Sequence, residues 1–173
     1  GATISQPTTV AFMLEKLNVH RGQKVLDVGS GSGWTTALLS HLAGPHGKVI
    51  GLEIVPELVV FGQKNLVNFY SHILNLPAGK AGNMRIEVGQ AKILQAKKGE
   101  AGFSGEAPFD RILVSASAKE IPQELIDQLK LNGLMIIPVG AEGEIQKIVR
   151  IQKKYNETLE IEEYPGFAFV PLK

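Results

Sequence analysis

The chain has 173 residues, 44% hydrophobic and 20% charged, a balance that suits one globular domain over residues 1–173 and excludes a disordered chain. A formal net charge of +1 gives no basic face for nucleic acid, and no apolar run is long enough to span a membrane. The sequence has no cysteine, so disulfides, thiolate metal sites and a cysteine nucleophile are excluded, and a cytoplasmic setting is expected.

"SQPTTVAFMLEKL" places Val10, Met13, Leu14 and Leu17 at i, i+3, i+4 and i+7, the spacing of an amphipathic helix. Ser5 is its expected N-cap, and Pro7 falls in the first turn. "KVLDV", residues 24–28, reads as a short buried strand. A glycine loop follows, then a helix "WTTALLSHLAG" that stops near Gly44. "KVIGLEI" is a second strand, and Pro56 opens a helix through "ELVVFGQKNLVNFYSHIL". "MRIEV", residues 84–88, reads as the third strand and "FDRILVSAS" as the fourth. "IPQELIDQLK" reads as a helix, with Pro122 near its start and Gly133 beyond its end, and "LMIIPVG" as the fifth strand. Residues 76–83 and 99–107 are rich in Gly, Pro and Ala and read as loops. The basic cluster from Lys92 to Lys98 reads as a solvated loop or helix face.

Strand and helix thus alternate, which implies a parallel sheet covered by helices on both faces. After Gly140 the pattern changes. "IQKIVRIQKKYNETLEIEEY" forms two alternating strands around the turn "YNET", and "FAFVPL" is a further β-rich run. The expected fold is α/β: a Rossmann-like, doubly wound, mostly parallel sheet with antiparallel C-terminal strands. Ligands on such sheets sit at the carboxyl ends of the strands, near the switch in strand order. That directs attention to residues 27–34, 53–54, 89–91 and 114–118.

The stretch "KVLDVGSGSGW" carries glycines at 29, 31 and 33, which let the backbone turn tightly and approach a ligand. A dinucleotide fingerprint needs glycine or alanine where Trp34 stands. Asp27 would oppose a pyrophosphate but suits a ligand with positive charge. S-adenosylmethionine meets both conditions, with an ammonium, a sulfonium and no phosphate. Glu53 ends the second strand, where a carboxylate can accept from both ribose hydroxyls. An NAD site shares that last feature and ranks lower because of Trp34 and Asp27. Trp34 itself reads as helix packing. His20, His41, His46 and His72 fall on helices or turns away from the strand ends and read as surface residues. No metal site is expected.

"VLDVGSGSGW", "GLEIVPELVVFGQKNL", "APFDRILVSASAKEIPQELIDQLKLNGLMIIPVG", the terminal "FVPL" and above all "ATISQP" resemble protein-L-isoaspartate O-methyltransferases, from Ala2 to Leu172. The resemblance implies a class I methyltransferase fold and transfer of a methyl group from S-adenosyl-L-methionine to the α-carboxylate of L-isoaspartyl residues, a protein-repair reaction. It implies that Ser5 is the active-site serine. It further implies that Thr3 and Ile4 line the cofactor and peptide, that Gly29, Ser30, Gly31 and Ser32 hold the methionine moiety, and that Glu53 and the following Ile54 meet the ribose. The partners implied are isoaspartyl peptides and proteins. A monomer is expected, since no heptad or long apolar stripe calls for a second copy.

Several positions depart from the family pattern. Thr8 stands where the family has histidine, which removes a charge and leaves one hydrogen-bond donor toward substrate. Gln90 takes the place of the aspartate near the adenine, and Ala91 that of a glycine. "SASAKEIP" replaces "GAAAPEIP", so Ser115 makes the substrate pocket narrower and more polar. The family's segment of several dozen residues ahead of "TIS" has no counterpart here, which implies a fragment or a more open groove. Two alternatives stay open beside the main reading. One is methyl transfer to another carboxylate or small molecule. The other is a non-catalytic relative that binds S-adenosylmethionine.

Overall fold

The structure is a computed structural model that describes residues 5–74 and 89–172. In chain order the elements are α1 (Pro7–Leu17), β1 (Lys24–Val28), α2 (Trp34–Ala43), β2 (Lys48–Glu53), α3 (Pro56–Leu74), β3 (Gln90–Gln95), β4 (Phe109–Val114), α4 (Gln123–Asp127), β5 (Leu129–Val139), β6 (Gln146–Lys153) and β7 (Leu159–Phe167). The strands form one sheet in the order β3-β2-β1-β4-β5-β6-β7. Strands β1 to β5 pair in parallel. Strand β6 runs antiparallel to β5, and β7 antiparallel to β6.

The central strands are apolar on both faces because helices cover both. Leu26, Ile50, Ile112 and Met135 point to one face, where Leu125 and Ile126 of α4 pack. Val25, Val49, Leu113 and Ile136 point to the other, under Met13 and Leu17 of α1 and Leu39 and Ala43 of α2. Each leucine or isoleucine buried this way contributes about 1.5–3 kcal/mol. Asp27 lies on the Val25 face by the two-residue period of the strand. It is therefore carried into the space under α2.

The chain goes outward from β1 to β2 and β3, then returns to place β4 on the other side of β1. The carboxyl ends of β1 and β4 thus flank the point where strand order reverses, the usual ligand position in such sheets.

Several expectations change. The predicted strand at 84–88 lies outside the described residues, and the strand paired with β2 is Gln90–Gln95. Its one buried side chain, Ile93, fills the space left by Gly33, Gly51 and Gly62. Lys92 consequently stands on a strand. The helix expected over 121–130 is only Gln123–Asp127, because Leu129 already pairs with Phe109 in β5. Gly133 does not stop a helix. It sits within β5 after Asn132, whose φ is 60°, where the register against β4 shifts. Finally, "FAFVPL" is not a full strand. Phe167 ends β7, and the rest runs extended past Ser117, whose N–H donates to the Val170 carbonyl at 2.8 Å. Among the described residues no helix is long and apolar enough to cross a membrane.

Candidate active site

The loop after β1 is built on left-handed glycines. Gly29, Gly31 and Gly33 have φ of 77°, 51° and 80°, a region costly for other residues. Gly33 also needs its lack of a side chain for space. A Cβ there would stand 2.9 Å from the Gly62 carbonyl oxygen of α3 and 3.0 Å from Ile93. The backbone N–H groups of Gly29 and Ser30 both donate to the Leu52 carbonyl at 2.9 Å. From α3, the Asn65 amide donates to the Ser32 carbonyl at 2.9 Å. The loop is thus fastened from β2 and α3 together.

Two carboxylates lie under and beside this loop. Glu53 Oε2 accepts from the Gly31 N–H at 2.8 Å, and Oε1 accepts from the N–H groups of Ile54 and Val55 at 2.8 and 2.9 Å. A carboxylate offers about four acceptor positions. Glu53 therefore braces the loop and retains capacity for a ligand hydroxyl. Asp27 is fully buried, and its Oδ2 accepts from the hydroxyls of Thr35 and Thr36 at 2.7 and 2.6 Å. Burial pushes its pKa up to about 6; the two threonine hydrogen bonds oppose that shift, and the Glu53 charge adds to it. Asp27 Oδ1 and Ser30 Oγ are buried without a partner among the described residues.

A small cavity of about 50 Å³ opens above the loop, lined by Ser30, Gly31, Trp34, Ser5 and Ser115 among others. Ser115 reaches it because its N–H donates to the Val28 carbonyl at 2.8 Å, which sets the ends of β1 and β4 side by side. A wider cleft of about 560 Å³ adjoins it. Its walls are Gln6 and Thr9 of the α1 start and the segment from Gly166 to Pro171, and Ser5 and Ser115 line it too. The two serines therefore stand on the boundary between the two spaces.

The predicted site residues separate into three groups. Ser5, Asp27, Gly29, Ser30, Gly31, Ser32, Glu53, Ile54 and Ser115 all lie at the carboxyl ends of β1, β2 and β4 or beside them. Thr3 and Ile4 fall outside the described residues. Gln90, Ala91 and Thr8 are not brought to the site. Gln90 and Ala91 begin β3 opposite Lys48 and Val49, at the far end of the sheet, and the residue beside Glu53 is Gln95. Ala91 is not among the residues with positive φ. Thr8 is exposed on α1, and its neighbour Thr9 faces the cleft. Ser5 is not the helix N-cap. Gln6 holds that position, without a side-chain bond, because Pro7 takes the first helical position and so sets the cap at residue 6. The Ser5 side chain is thereby left for the site.

Trp34 is half-buried at the start of α2 and forms part of the cavity wall, beyond the packing role expected of it. The four histidines are exposed. Gln146 was not singled out from the sequence. It is 2% exposed; its Nε2 donates to Ser117 Oγ at 3.0 Å and to the Ala141 carbonyl at 3.1 Å, and its Oε1 accepts from the Phe169 N–H at 2.7 Å. It ties the terminal wall of the cleft to the end of β4. Its signal was available: Gln146 is in phase with buried Ile148 on an alternating strand, and a polar group there must find partners.

A cofactor with an ammonium and a ribose fits these residues. The unpaired Asp27 oxygen and Ser30 hydroxyl lie under the loop, and Glu53 stands at the end of β2. The buried Asp27 carboxylate beneath the loop opposes a pyrophosphate. The cavity itself takes only a handful of atoms, as an amino-acid end would require.

The sheet order, the antiparallel end strands and this carboxylate-flanked loop define the class: the fold is that of class I S-adenosylmethionine-dependent methyltransferases. Within that class, the chain belongs to the protein-L-isoaspartate(D-aspartate) O-methyltransferase family, whose model matches residues 1–173. It is 39% identical to the protein-L-isoaspartate O-methyltransferase of Thermococcus onnurineus over 172 residues, 99% of this chain and 70% of that one. It is 41% identical to that of Parvibaculum lavamentivorans over 175 residues, 99% of this chain and 68% of that one. A Plasmodium falciparum chain assigned to the same enzyme, solved in complex with S-adenosyl-L-homocysteine, superposes with a TM-score of 0.79 at 33% identity. That match covers 100% of this chain and 77% of that one.

Proposed function

We propose that this chain transfers a methyl group from S-adenosyl-L-methionine to the α-carboxylate of L-isoaspartyl residues in peptides and proteins. The observation that carries this reading is the shared boundary. Ser5 and Ser115 line both the small cavity at the glycine loop and the peptide-sized cleft. A group bound on one side therefore meets a group bound on the other at these two hydroxyls.

The cofactor supplies an electrophilic methyl group on sulfur when bound. Gly29, Ser30, Gly31 and Ser32 would hold its amino-acid end, with the unpaired Asp27 oxygen beneath, and Glu53 would accept from its ribose. Ser5 and Ser115 would donate hydrogen bonds to the substrate carboxylate and orient it. No base is needed, since a carboxylate is already ionised at neutral pH. The residues' work is to fix approach geometry at about 3–3.5 Å and to exclude water. Trp34, Phe167 and Phe169 provide the apolar shielding. The cysteine-free sequence supports a cytoplasmic location.

The test is methyl transfer to an isoaspartyl peptide and to its normal aspartyl twin. Incorporation into the first and not the second is expected. Equal incorporation, or none while S-adenosylhomocysteine binds, contradicts the reading. Transfer to small carboxylic acids alone would favour a different acceptor.

A further inference from the structure

The methyl-transfer chemistry leaves one feature of the cleft unused. Among the described residues, Glu142 is the one charged side chain that lines it. Glu142 is exposed and enters no ion pair among the described residues. Glu106, Glu160, Glu162 and Glu163 each hold a lysine or arginine.

The backbone that leads into it is held by its neighbours. The Gly140 N–H donates to the Ala118 carbonyl at 3.0 Å. Gln146 holds the Ala141 carbonyl and Ser117 Oγ together from the other side. Glu142 follows directly on this tied backbone. The surfaces around it are uncharged: Gln6 and Thr9 on one wall, Phe167, Phe169 and Val170 on the other. A lone carboxylate in a cleft with uncharged walls exerts its field on whatever enters.

Resting on the proposed function, we infer that Glu142 is a specificity-determining residue that favours isoaspartyl peptides with a lysine or arginine beside the isoaspartate and disfavours acidic neighbours. A peptide whose reactive carboxylate reaches Ser5 and Ser115 runs its flanking residues along the same cleft, toward Glu142. The interaction is partly solvated, so a change of about three- to tenfold in KM is expected for each change of flanking charge, weakening with salt.

The test uses three isoaspartyl peptides that differ only in the following residue: lysine, alanine or glutamate. KM is measured for the wild type, Glu142→Gln, Glu142→Lys and the control Glu144→Gln, an exposed residue of the same loop that does not line the cleft. Wild type and Glu144→Gln should rank lysine below alanine below glutamate in KM. Glu142→Gln should flatten the ranking, and Glu142→Lys should reverse it. Equal KM for the three peptides in the wild type, or a ranking that survives in Glu142→Gln, overturns the inference. Turnover of none of the three by the wild type would instead overturn the proposed function, so the two failures read differently.

Discussion

At the amino ends of the strands, Lys48 and Lys92 close on the Glu106 carboxylate at 2.7 and 3.1 Å, and Lys130 closes on Asp110 at 2.8 Å. Lys24 completes the set, donating to the Glu106 carbonyl at 2.6 Å. At the carboxyl ends, Asp27 and Glu53 have no such cation among the described residues and take hydroxyl and backbone donors instead. The first set is closed: both carboxylates hold lysines of the same chain, and Lys24 is satisfied by a carbonyl. The second is held open, and Asp27 bears the desolvation cost of an unpaired buried carboxylate. A closed set can support the fold and little else. An open set retains interaction free energy for a ligand at that end of the sheet.

Substitutions at the two ends should therefore differ in kind. The largest effect is expected from Gly33→Ala, where a positive φ and a Cβ 2.9 Å from a backbone oxygen combine. A loss of about 2–4 kcal/mol, or on the order of 10 °C in Tm, is expected by thermal unfolding. Gly99→Ala, at φ 87° in open space between β3 and β4, should cost about 1 kcal/mol. Equal losses would show that close packing at Gly33 adds nothing to its backbone strain.

Asp27→Asn comes next, with the opposite sign. Folding raises this carboxyl from 3.8 to about 6, so the folded chain holds an extra proton between those values. Stability from the group is complete below about pH 4 and is lost as pH rises through about 6, some 3 kcal/mol in all. Asparagine keeps an oxygen for Thr35 and Thr36 and removes the charge. The ligand-free variant should therefore unfold at higher temperature than the wild type at pH 8, with the gain vanishing near pH 4. Its affinity for S-adenosylhomocysteine should fall. A lower Tm at pH 8 would show that the carboxylate is not desolvated as described.

Ser5→Ala should lower kcat for isoaspartyl peptide about tenfold, the worth of one hydrogen bond, and leave S-adenosylhomocysteine affinity unchanged. Steady-state kinetics beside calorimetry separates the two. The smallest effect belongs to the closed end. The Lys48 and Lys92 hydrogen bonds hold the Glu106 carboxyl below its ordinary pKa. Its contribution is present at neutral pH and lost as pH falls through that lowered value. Because the paired lysines are 40% and 45% exposed, Glu106→Gln should lower Tm by less than about 2 °C, with the difference removed by about 1 M salt.

Much of this arrangement was legible in the chain. "KVLDV" and "KVIGLE" are near-continuous apolar runs, each ending at a glycine or an acidic residue, and their bounds follow from that. The glycine loop, Asp27 and Glu53 could be placed at strand ends by pattern alone. Features that depend on partners distant in sequence were not. Glu53 braces the Gly31 N–H across 22 residues. Gln146 fastens Phe169 across 23. Local signals also misled where two structures share one vocabulary. Gly133 reads as a helix stop and serves as a strand irregularity. Ser5 reads as a cap, although proline at the first helical position puts the cap at Gln6. Thr8 and Thr9 are adjacent, and only the helix rotation decides which one faces the cleft.

The central claim is that charge is left open for a cofactor at one end of the sheet and closed at the other. Calorimetric titration of S-adenosylhomocysteine into the wild type, Glu53→Gln and Glu106→Gln tests it most directly. The account predicts that Glu53→Gln weakens binding at least tenfold, since a charged acceptor becomes neutral, while Glu106→Gln binds as the wild type does. Equal affinity in all three, or a loss in Glu106→Gln matching that in Glu53→Gln, would contradict it.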